Sequence, residues 1–131
     1  MLVDTSVWID FFNGHASTEA ERLSRAVADG EQIWITGLVL TEILLGLRGD
    51  SQARHIESLL DAFDYLPDPD RSDHVAAASL YRLCRARGRT IRSVVDCLIA
   101  QLCLRHGVPL LTKDRDFRAI AACMPLHLLE T

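Results

Sequence analysis

Five acidic residues stand where the surrounding sequence leaves little room for charge. Asp4 closes the apolar opening Met1-Leu2-Val3, and Glu42 lies inside Leu38-Val39-Leu40-Thr41-Glu42-Ile43-Leu44-Leu45. Asp96 lies inside Val94-Val95-Asp96-Cys97-Leu98-Ile99-Ala100. Asp114 follows Pro109-Leu110-Leu111-Thr112-Lys113, with Asp116 two residues on. An ionised carboxylate is costly to bury without a partner, and a shared cation is the economical partner for several. Neighbouring carboxylates raise one another's pKa, which a divalent ion relieves. Carboxylate oxygens select Mg²⁺ or Mn²⁺, whereas Zn²⁺ would recruit Cys or His. Such an ion can deprotonate water and stabilise charge on a phosphoryl oxygen, so the chemistry indicated is phosphodiester hydrolysis.

Each acid also has an ordinary structural role open to it. Asp4 can cap the helix that follows a strand, although Thr5 and Ser6 can do the same. Glu42 has Leu38, Val39, Leu45 and Gly46 three and four residues away, hence no local ion pair, and its alternative is to reach solvent at the edge of an apolar stripe. Ser93-Val94-Val95-Asp96 has the form of a capping box, and Arg92 stands four residues before Asp96. Asp114 and Asp116 suit a helix cap and first turn. Joint placement carries more weight than any one residue.

The elements that must position these acids alternate between strand and helix. Strands are expected over residues 1–4, 32–35, 64–66 and 110–112, with a possible fifth over 126–129. Helices are expected from Ser6 to Phe12, from Ser17 or Thr18 to Asp29, and after Thr36 through Glu42. Others are expected from Ala53 to Phe63, from Ser72 or Asp73 to Arg87, from Ser93 to Gly107, and from Asp114 to Ile120. Short apolar strands alternating with helices imply an α/β fold with a mostly parallel sheet covered on both faces. Ligands of such sheets gather beyond the carboxyl ends of the strands, where Asp4 and Asp114 fall.

The 131 residues predict a single domain, and 49% hydrophobic content predicts a packed globule. The net charge of −4 excludes a generally basic nucleic-acid binder. Lys113 is the only lysine among fourteen basic residues. Arg82, Arg85, Arg87, Arg89 and Arg92 crowd the approach to Asp96, where they can hold substrate phosphates or simply complement a helix C-terminus. Arg115 and Arg118 are further candidates. Trp8, Phe11 and Phe12 are expected in the core or a protein contact. Cys84, Cys97, Cys103 and Cys123 lack metal-ligand spacing and read as reduced, structural thiols of a cytoplasmic protein. The sequence shows neither a signal peptide nor a membrane span.

The chain resembles the PIN-domain nucleases, in particular the VapC-type toxins of bacterial toxin–antitoxin pairs. The likeness is carried by Leu2-Val3-Asp4-Thr5-Ser6-Val7-Trp8-Ile9, Thr41-Glu42-Ile43-Leu44-x-Gly46-Leu47, Asp96-Cys97-Leu98-Ile99-Ala100 and Leu110-Leu111-Thr112-Lys113-Asp114-Arg115-Asp116-Phe117. It implies a three-layer α/β/α PIN-like domain over residues 1–131 and a Mg²⁺- or Mn²⁺-dependent endoribonuclease. Asp4, Glu42, Asp96 and Asp114 match the family's catalytic and metal-binding quartet, and Asp116 a more variable additional ligand. Thr5, Ser6 and Thr112 match hydroxyls that support the site through water. Also implied are a VapB-type antitoxin, homodimerisation and an RNA target such as tRNA or rRNA. Two rivals are an aspartyl phosphotransferase using Asp4 and a non-catalytic binding module with an acidic pocket. The first lacks the Asp-x-Asp pattern, since Thr5 and Ser6 follow Asp4; the second would not need an intact quartet.

Overall fold

A computed structural model describes residues 1–131. Its sheet is built from very short, apolar strands. β1 (Leu2–Val3) is central, hydrogen-bonded in parallel to β2 (Trp34–Ile35) and to β4 (Leu110–Leu111). β3 (Asp64–Tyr65) pairs in parallel with β2, which gives the order β3-β2-β1-β4. Leu2, Val3, Leu110 and Leu111 are fully buried, so β1 and β4 have no polar face, as expected of strands covered on both sides. The expected fifth strand reduces to a single parallel bridge between Leu128 and Leu110. The residues around it still hydrogen-bond to β4, through Leu110 N–H to the His127 carbonyl and Leu129 N–H to the Leu110 carbonyl. All four strands are parallel, one step further than the mixed sheet that the sequence allowed.

The crossovers are helical. α1 (Thr5–Asn13) and α2 (Thr18–Ala28) join β1 to β2, and α3 (Gly37–Leu45) and α4 (Asp50–Leu60) join β2 to β3. α5 (Arg71–Ala86) and α6 (Val94–His106) join β3 to β4, and α7 (Arg115–Ala121) follows β4. α1 packs on α2 and α3, while α5 packs on α6 and both touch α7. The result is the three-layer α/β/α arrangement, with 28 buried residues in one continuous core. Trp8 anchors one side of it, stacked on Phe12 and edge-on to Phe11 and Phe63. The core placement expected for Trp8, Phe11 and Phe12 therefore holds.

Three helix starts differ from expectation. α1 begins at Thr5, one residue early, because the strand runs directly into the helix. α4 begins at Asp50 behind Gly49, three residues before Ala53, since extended backbone at Gly49 permits the turn. α5 is capped by Asp70, which accepts from Asp73 N–H while the Asp73 carboxylate accepts from Asp70 N–H. That reciprocal box overrides Ser72, whose hydroxyl instead donates to Asp70. α2, α3 and α6 start as read, with Ser17, Thr36 and Ser93 accepting from Ala20, Val39 and Asp96 N–H. At the far end of α6, Gly107 takes the left-handed conformation (φ 64°) that lets the chain leave the helix towards β4.

Candidate metal centre

The ends of β1 and β4 lie side by side, with Val3 opposite Leu111. Asp4 and Thr112 are the next residues on each strand, and this register brings them together. Asp4 occupies the capping position of α1, yet its side chain makes no capping hydrogen bond. Its Oδ2 instead accepts from Thr112 Oγ1 at 2.9 Å and from Ser6 Oγ at 3.0 Å. Thr112 Oγ1 in turn accepts from Asp114 N–H at 3.0 Å, so one hydroxyl links both strand ends. Burial pushes the Asp4 carboxyl upward against these hydrogen bonds, and the charge of Asp114 adds to the rise.

Glu42 projects from α3 and accepts from Thr5 Oγ1 at 2.8 Å. It has no cationic partner, and burial together with the charges of Asp4 and Asp114 raises its pKa. The hydroxyls of Thr5, Ser6 and Thr112 all donate to carboxylates of the site directly.

Asp96 is buried in the first turn of α6. Ser93 Oγ accepts from its N–H, but the Asp96 carboxylate does not return the bond, and only half of the expected capping box forms. That carboxylate has no hydrogen-bond partner anywhere in the chain and no basic residue against it. Burial, then the charges of Asp4, Asp114, Glu42 and Asp116, push its pKa up to about 7. Asp114 caps α7 through Oδ1, which accepts from Asp116 N–H at 2.9 Å. Its Oδ2 has no partner within the chain.

Carboxylate oxygens of Asp96, Asp114 and Asp116 lie within 4.8 Å of one another. Asp4 and Glu42 stand outside this trio but act on Asp96 through their charges. An oxygen-only donor set that contains a buried, unpartnered carboxylate fits a hard divalent cation.

The arginine cluster does not act as one group. Only Arg92 reaches the acids, contacting Asp116 and Asp114. The alternative pairing with Asp96, four residues on, does not form: the chain bends at Arg92 and aims its side chain at α7 instead. Arg82 and Arg85 lie on α5, where Arg85 stacks over the Tyr81 ring at 5.6 Å. Arg87 and Arg89 are exposed in the turn before α6, and Arg115 is exposed at the start of α7. None of these pairs with the central acids.

Two other buried acids, Asp10 and Asp73, carry no local signal of burial. Both are partnered from far along the chain, Asp10 by Lys113 and Asp73 by Arg105. The link between Arg92 and Asp116 was missed for the same reason: a contact across 24 residues leaves no local pattern.

A model of the PIN domain matches residues 1–122. The chain belongs to the PIN-domain family. This PIN domain is 36% identical over 122 residues to VapC ribonuclease Mb1587 of Mycobacterium bovis, covering 92% of this chain and 91% of that protein. It is equally similar, over the same shares, to ribonuclease VapC11 of Mycobacterium tuberculosis. The crystal structure of VapBC2 from Rickettsia felis, bound to a promoter DNA fragment, shares the fold of this PIN domain with a TM-score of 0.76. It covers 98% of this chain and 96% of that one, at 19% identity.

Proposed function

We propose that this PIN domain is a metal-dependent endoribonuclease that uses Mg²⁺ or Mn²⁺ and serves as the toxin of a type II toxin–antitoxin pair. The observation that carries this reading is Asp96: a buried carboxylate with no partner, surrounded by four other acids. The 36% identity to proteins named as VapC ribonucleases supports RNA as the substrate class. The VapBC2 neighbour supports a VapB-type antitoxin as partner.

Asp4, Glu42, Asp96 and Asp114 hold the ion. When bound, it supplies an acidified water and charge stabilisation at a phosphoryl oxygen. The chain's own contribution is positioning. Ser6 and Thr112 fix the rotamer of Asp4, Thr5 fixes Glu42, and the cap at α7 fixes Asp114 with Oδ2 left open. Holding reacting groups in place in advance is a large part of catalytic advantage. Arg85, Arg87, Arg89 and Arg115 hold RNA phosphates around the acidic centre, with tRNA or rRNA as the target. Residues 1–131 act as one cytoplasmic domain. No helix is long and apolar enough to cross a membrane. An apolar groove of about 270 Å³ between α5 and α6, lined by Ala77, Tyr81, Val94 and Leu98, supports homodimerisation. Val94 there is 73% exposed.

The test is cleavage of cellular RNA by the purified protein in Mg²⁺ or Mn²⁺. Cleavage is expected to vanish in EDTA and to fall by about a hundredfold or more in Asp96→Asn, the size of effect seen when one preorganised electrostatic group is removed. Equal cleavage by the Asn variant would assign the activity to a contaminant and sink the proposal.

A further inference from the structure

Asp116 is placed like an ion ligand but bonded like an anchor. Its Oδ2 accepts from the backbone N–H of Arg92 at 3.1 Å. Arg92 Nε lies 3.3 Å from both Asp116 oxygens, so neither oxygen is uncommitted. The same guanidinium places Nη2 3.6 Å from Asp114 Oδ1. Its position does not depend on a side-chain rotamer alone. Ile91 is buried in the core and Ser93 caps α6, so the backbone of Arg92 is held on both sides. A guanidinium is a permanent charge with a planar donor fork, suited to bridging two carboxylates.

We infer that Arg92 is the built-in second cation of the acidic centre: seated between Asp114 and Asp116, it takes the place of a second divalent ion, and Asp116 is its positioning residue. This rests on the metal-site reading above. Arg92 leaves the Asp96 carboxylate and Asp114 Oδ2 open to a first ion, while its charge and its hold on Asp116 oppose the binding of another. Without the Arg92 guanidinium the five carboxylates would hold a larger negative charge, and Asp116 would keep only its backbone donor, with Oδ1 released for a second ion.

The experiment is Mn²⁺ titration of the purified, metal-stripped protein, followed by calorimetry and by loss of the free-ion electron paramagnetic resonance signal. The wild type is expected to bind close to one Mn²⁺ per chain. Arg92→Gln is expected to bind two, and Arg54→Gln, an equal charge change at an exposed position of α4, to stay at one. Two ions in the wild type, or one in both the wild type and Arg92→Gln, overturn the inference while leaving the metal site standing. No Mn²⁺ in the wild type overturns the metal site itself and this inference with it. Arg92 is 74% exposed at its side chain, so Arg92→Gln is expected to fold with an unchanged circular dichroism spectrum. Should it not, Arg92→Met removes both the charge and the fork while keeping an unbranched stem, and is expected to bind two ions, with one ion counting against the inference.

Discussion

Two clusters of buried acid occupy this small domain, and they have opposite electrostatic outcomes. At the start of α5, Asp73 is almost completely enclosed, yet its carboxylate accepts from Asp70 N–H, Gln101 and Arg105 Nη1, the last at 2.6 Å. Burial pushes its pKa up, but these partners outweigh burial and hold it below the usual carboxylate range. At the ends of β1 and β4, Asp96 is similarly buried but has no donor, and its neighbours are other acids. Its pKa climbs to about 7. Burial of an acid therefore does not by itself mark a site. Burial without internal compensation does, because that charge must be balanced by something the chain lacks.

Removing a charge from each cluster gives the sharpest contrast. Arg105→Met strands Asp73 and is expected to destabilise the fold by about 2–3 kcal/mol at neutral pH, less than the full cost of breaking a buried pair because Arg105 is partly exposed. Chemical denaturation would measure it, and a loss below about 0.5 kcal/mol would remove the claim that Asp73 is held by this ion pair. Asp96→Asn, in EDTA, is expected to change stability in the other direction. It relieves an uncompensated charge and should stabilise the metal-free fold by about 1–2 kcal/mol at pH 8, a value discounted for solvent screening. A destabilised Asn variant would mean that the Asp96 charge is already balanced.

The pH dependence follows with a defined sign. Asp96 binds its proton more tightly when folded, so between about pH 4 and about 7 the native chain carries more protons than the unfolded one. Metal-free stability contributed by Asp96 therefore falls as pH rises through that window. Asp73 has the reverse sign: its contribution is present above the ordinary carboxylate pKa and is lost as pH falls below it. Melting curves of wild type and Asp96→Asn in EDTA should converge at pH 4 and separate by pH 8, and parallel curves would contradict the shift. The smallest expected effect is at Thr112→Val. It removes the hydroxyl that joins Asp4 to Asp114 N–H, at a cost of about 1 kcal/mol in stability. Activity should fall by about tenfold, mostly in kcat, if the hydroxyl's role is to position Asp4. A change confined to KM would assign Thr112 to substrate binding.

Local chemistry made much of this molecule legible. The alternation of apolar strand and capped helix was readable because strands buried on both faces are continuous apolar runs and because Ser17, Thr36 and Ser93 are strong caps. Asp4, Glu42, Asp96 and Asp114 stood out because each interrupts such a run. The elements that failed had weaker local signals. The segment 126–129 is apolar enough for a strand, but only Leu128 forms a bridge. Asp70 won the cap of α5 from Ser72 through a bond to Asp73 that depends on both side chains at once.

The order of elements, the apolar strands and the types of residue at their ends are legible from neighbours within a few positions. Which acids are compensated depends on contacts that form only when the chain is folded. Lys113 finds Asp10 across 103 residues, Arg105 finds Asp73 across 32, and Arg92 turns from Asp96 to Asp116 across 24. An ion pair acts over a few ångströms of space whatever the chain length between its partners. Charge balance at the acidic edge is therefore a property of the fold, although every charge in it is written in the sequence.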